Sequence, residues 1–63
     1  SFNETTNKYR IAHFLKMAKE HPEYSIESLA LDSGFGSKST FNRAFLKEKG
    51  KTPKEYLSSL YPE

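Results

Sequence analysis

Apolar residues along this chain recur at intervals of three and four, the spacing of a helix face rather than the alternation of a strand. Ile11, Phe14, Leu15 and Ala18 fall at i, i+3, i+4 and i+7 and predict a one-sided amphipathic helix over about 7–20. It must end before Pro22, because the residue preceding a proline is pushed out of helical geometry. Ser25 stands as the next N-cap, with Glu27 at the positive end of the helix dipole. Ile26, Leu29 and Ala30 repeat the spacing for about two turns, until Gly34. A glycine turn, Gly34-Phe35-Gly36, leads to Ser37, a third N-cap, and a helix over about 38–49 with Phe41, Ala44 and Phe45 as its apolar stripe. Gly50 ends that helix, since glycine takes the left-handed conformation without a Cβ clash. Thr52-Pro53-Lys54-Glu55 is a capping box with proline at the first helical position. Tyr56, Leu57 and Leu60 then give a last helix over 53–60, before Pro62. The polar stretch from Ser1 to Thr6 is expected to fray, as termini do.

Four helices, with no strand pattern and no internal repeat, make the class all-α. The 63 residues suffice for one small helical domain, 1–63, with a core near the lower limit for independent folding. The first residue is Ser1 rather than methionine, so the chain is expected to be a piece of something longer. There is no cysteine, hence no disulfide and no thiolate site. No apolar run approaches the roughly 20 residues of a membrane span, and no signal peptide is visible. Net charge is only +2, but its distribution is uneven. From Gly34 onward the cations Lys38, Arg43, Lys47, Lys49, Lys51 and Lys54 face three anions, Glu48, Glu55 and Glu63. Before Gly34, four cations face five anions. The basic half is the half that holds the 38–49 helix, a distribution suited to a polyanion.

That helix has one greasy face and one face of hydrogen-bonding and cationic side chains, the design needed in a DNA major groove. Lys38 and Ser39 lie in its first turn, with Asn42 and Arg43 one turn on. Arg43 can present a bidentate fork to guanine and Asn42 a bidentate pair to adenine. Lys38 can donate to guanine, and Ser39 can serve either role. These four are the candidate base readers. Lys47 lies a further turn along, within reach of a phosphate, as do Ser25 and Ser37 with the helix N-termini they cap. Thr40 serves either a phosphate or the turn. The plain alternative is an ordinary solvated helix face.

Other residue types add little chemistry. Phe35, Phe41 and Phe45 could stack on single-stranded bases, but their spacing is that of a core stripe. Tyr9, Tyr24, Tyr56 and Tyr61 are expected at the core edge with their hydroxyls in water. His13 and His21 lack metal-ligand spacing, so no metal is expected. No triad can be built, and a domain this small offers no deep pocket, so neither an enzyme nor a cofactor is expected. Leu46 follows Phe45 where a polar residue would be easier to explain; it packs either on the last helix or against another unit.

A short helix, a tight glycine turn and a second helix are the spacing of a helix-turn-helix, shared by many small helical domains. The residues narrow this. Gly34-Phe35, then Phe41, Phe45, Gly50-Lys51-Thr52-Pro53 and Glu55-Tyr56 resemble the second helix-turn-helix of the AraC family of bacterial transcription regulators. Ile26, Leu29 and Ala30 match the first helix of that motif, and 7–11 resembles the start of the family's linker helix. The resemblance spans roughly Asn7 to Leu57. It implies a homeodomain-like helix-turn-helix over 25–50, following a linker helix over 7–20. It implies double-stranded DNA as the partner, in the cytoplasm. The family's DNA-binding domains carry two such units, and a sensing domain or signalling partner usually controls them. Only the second unit is matched here, so the resemblance implies a parent protein that holds the rest. The competing class is a helical protein-interaction module, docking through its basic face or its Leu46 side onto a partner such as RNA polymerase.

Overall fold

The computed structural model describes residues 2–60. Among these the chain forms four helices and no strand: α1 (Phe2–Glu20), α2 (Ile26–Asp32), α3 (Lys38–Lys49) and α4 (Pro53–Leu60). The expectations for Tyr61 and Pro62 lie outside the described residues.

Local hydrogen bonding explains most of the helix ends. Ser25 Oγ accepts from the Ser28 N–H at 3.1 Å and Ser37 Oγ from the Thr40 N–H at 3.2 Å, so both serines cap as their chemistry suggests. At the end of α2, Phe35 N–H donates to Ala30 O and Gly34 N–H to Leu31 O. This is a Schellman arrangement, with Gly34 left-handed at φ +100° and the following residue, Phe35, turned back into the core. Helix α3 closes more simply, by one bond from Gly50 N–H to Leu46 O, with Gly50 at φ +76°. At α4, Thr52 N–H and Thr52 Oγ1 both donate to Glu55 Oε1, while Glu55 N–H donates to Thr52 Oγ1. The capping box is thus closed in both directions.

One difference concerns α1. It begins at Phe2, not near residue 7, so residues 2–6 of the stretch expected to fray are helical, while Ser1 lies outside the described residues. Nothing from 2 to 19 is glycine or proline. Once Ile11 and Phe14 anchor the helix, each further residue adds a hydrogen bond without a new nucleation cost.

The core is a cluster contributed by three helices and one turn: Ile11 and Phe14, Leu29 and Ala30, Phe35, and Phe41 and Phe45. Helix α1 packs on α2 and α3, and α4 packs on α3. Phe41 centres an aromatic cluster, 4.7 Å from the Phe14 ring and 5.2 Å from Phe35. Such tilted and edge-on pairs add to the area they bury. Tyr56 of α4 closes the cluster at 5.4 Å from Phe45. Ser33 is the one buried polar residue among those described, and its hydroxyl is satisfied by donating to Leu29 O at 2.7 Å.

The tyrosines divide. Tyr56 is half-buried at the core edge, but Tyr9 is 75 % exposed and Tyr24 is 50 % exposed, stacked on His21 rather than on the core. For Tyr9 the core-edge expectation is wrong. It lies five residues from Phe14, about 140° round the helix at 100° per residue, on the far side of α1.

Candidate nucleic-acid interface

The back of α3 is fixed by Phe41 and Phe45, both fully buried. Its front is therefore turned outward. Lys38, Ser39, Thr40, Asn42, Arg43 and Lys47 are all exposed, as are the capping residues Ser25 and Ser37. The eight residues expected from sequence to meet DNA are thus all on the surface.

They do not all line one groove. An open groove runs along one side of α3, lined by residues 25–27 from the start of α2, by Lys38, Asn42, Arg43 and Leu46, and by 52–54 from the start of α4. Ser25 is drawn into this groove beside three of the four candidate base readers. Ser37, Ser39, Thr40 and Lys47 lie outside its lining. Ser37 and Thr40 instead engage each other: the Ser37 hydroxyl donates to Thr40 Oγ1 at 3.0 Å and accepts from the Thr40 N–H. Thr40 is held at the turn.

The groove carries three cationic side chains, Lys38, Arg43 and Lys54, against one carboxylate, Glu27. Its apolar lining is Ile26, Leu46 and Pro53. Lys54 and the apolar residues 26 and 53 were missed by sequence reasoning as part of the site. Lys54 contributed only to the charge count, and no linear signal says that the start of α4 borders the same groove as the start of α2. The capping box fixes where α4 starts, and packing on α3 fixes where it lies. Hydrogen bonds from the Thr52 backbone N–H, then from its hydroxyl, hold the Glu55 carboxyl below its ordinary value of 4.5, with a smaller contribution from Lys51. Leu46 is half exposed and lines the groove beside the start of α4.

The turn before α3 is braced from α1. The Arg10 guanidinium lies 5.9 Å from the Phe35 ring centroid. Its side chain also passes so close to Gly34 that a Cβ there would meet Arg10 Nε at 3.1 Å. Elsewhere, His13 lies 4.0 Å from Asp32 and His21 3.4 Å from Glu23. Among the described residues no group of three or more ligand-type side chains could hold a metal ion, and no helix is long and apolar enough to cross a membrane.

A family model described as a helix-turn-helix domain, of the AraC type, matches residues 1–59. No match was found among curated proteins or among solved structures. The family is a DNA-binding one concerned with transcription regulation, not an enzyme family. With nearly the whole length matched, and with α2, the Gly34 turn and α3 arranged as a helix-turn-helix, the chain belongs to the AraC-type helix-turn-helix family.

Proposed function

We propose that this chain is a sequence-specific DNA-reading unit of a bacterial transcription regulator, with α3 laid in the major groove. Lys38, Ser39, Asn42 and Arg43 meet base edges, and Ser25, Ser37 and Lys47 meet phosphates, with Thr40 held at the turn. The observation that carries this reading is the division of α3, with Phe41 and Phe45 fully buried behind a front of exposed donors. That division holds the front rigid, as direct readout requires. Residues 7–20 act as the linker helix, 25–50 as the helix-turn-helix and 53–60 as the closing helix of one domain. The rest of the parent regulator, with its first helix-turn-helix and a sensing or signalling domain, supplies the second groove contact and the control, in the cytoplasm.

Binding to duplex DNA across a salt series tests this. One reading helix with few phosphate anchors should bind weakly, near the non-specific range of about 10⁻⁴ to 10⁻⁶ M, and lose affinity steeply as salt rises. Tethering to a second unit would raise affinity without any new contact. Failure to bind duplex DNA at low salt, with salt-insensitive capture of RNA polymerase instead, would favour the protein-interaction class.

A further inference from the structure

Leu46 is a large apolar side chain, 50 % exposed, on the face of α3 that is otherwise polar. At about 100° per residue it falls between Asn42 and Arg43 around the helix, one turn further along the axis. It also lies about 20° from Ser39, two turns on. Leu46 shares the groove with Lys38, Asn42 and Arg43. Such a side chain beside three hydrogen-bonding neighbours leaves apolar surface in water that no described residue covers.

The major groove offers one apolar group on its base edges, the C5-methyl of thymine. We propose that Leu46 is a specificity-determining residue that packs against a thymine methyl, one to two base pairs beyond those met by Asn42 and Arg43. The spacing fits, because one helical turn advances about 5.4 Å while successive base pairs rise about 3.4 Å. Ile26, partly exposed in the same groove, extends the apolar surface on which the methyl sits. A polar base edge at that position would instead be desolvated against Leu46 without a partner, which disfavours it. The inference rests on α3 reading the major groove and adds which base it selects at one further position.

Replacing thymine by uracil tests it, since this removes the methyl and leaves every hydrogen-bonding group in place. Duplexes enriched by the 63-residue chain from a random pool at low salt are remade with uracil at each thymine in turn. The expected result is one thymine at which uracil weakens binding about fourfold, the value of burying one methyl group. In Leu46→Ala, thymine and uracil should bind alike at that position while discrimination elsewhere is retained. Leu46 is half exposed, so this variant should stay folded, which its thermal melt checks; the uracil scan of the unaltered chain needs no variant. Enriched sites without a methyl-sensitive thymine overturn the proposal, as does methyl sensitivity that survives Leu46→Ala. In both cases DNA binding itself persists. Absence of any duplex binding would instead remove the groove-reading function together with this role for Leu46.

Discussion

The Phe14 ring of α1 lies 4.7 Å from the Phe41 ring of α3, tilted by 53°. Phe45 meets Phe14 edge-on at 5.8 Å. These contacts lock the rotation of α3 about its own axis, because two rings one turn apart are seated on the same side chain of α1. The reading face is consequently set by residues that never touch it.

Truncating this lock should be severe. Phe14→Ala, Phe41→Ala and Phe45→Ala should each cost about 3–5 kcal/mol, the usual range for a fully buried ring. That is comparable with the whole stability of a domain this small, on the order of 5 kcal/mol. Urea unfolding followed by circular dichroism measures it. Tyr9→Ala, at an exposed position, should change stability by no more than about 0.5 kcal/mol. A Phe41→Ala variant that unfolds with the parent would remove that ring from the core.

The glycines should rank by backbone geometry. Gly34→Ala and Gly50→Ala each place a Cβ on a left-handed residue, costing about 1–2 kcal/mol. At Gly34 the new Cβ also crowds Arg10, whereas at Gly50 nothing lies within 4 Å. Gly34→Ala should therefore be the worse of the two. Gly36 has neither a positive φ nor a close neighbour, so Gly36→Ala should be close to neutral. Melting temperatures of the three variants give the order directly, and a costly Gly36→Ala would contradict it.

Glu55 predicts a specific acid sensitivity. Its carboxyl is held below the ordinary value of 4.5 by the Thr52 backbone and hydroxyl bonds. A group depressed on folding contributes stability that is fully present above its unfolded value and is lost as pH falls through the folded one. The contribution should therefore hold at neutral pH and disappear below about pH 4.5. Glu55→Gln should flatten that part of the stability–pH curve, leaving neutral-pH folding largely intact. If parent and Glu55→Gln show the same acid dependence, the capping box carries none of it.

On DNA, Arg43 and Lys47 should behave differently. Arg43→Ala should cost about 1–3 kcal/mol on the preferred site and relax preference at one base pair. Lys47→Ala should weaken all sequences alike and reduce the salt slope by about one unit. Both are measured on preferred and scrambled duplexes at two salt concentrations. Should Arg43→Ala lower both affinities by one common factor, Arg43 anchors the backbone, and the reading face lies rotated from the one proposed.

What the sequence by itself determined is what local chemistry can determine. Ser25, Ser37 and the Thr52–Glu55 box mark helix starts because a side chain bonds a backbone group three residues away. Gly34 and Gly50 mark ends because the left-handed turn needs no distant partner. Phe41 and Phe45 could be assigned to the core from their period alone, and the exposed face of α3 followed as its complement. Tertiary structure decided the rest. The reach of α1 to Phe2 depends on a helix already anchored elsewhere, and the exposure of Tyr9 depends on which side of α1 the other helices occupy. The groove that gathers Ser25, Lys38, Asn42, Arg43 and Leu46 with Lys54 exists only because the starts of α2 and α4 both border the same side of α3. Periodicity gives the face of each helix but not the angle at which two helices meet, and that angle is set by side chains far apart in sequence.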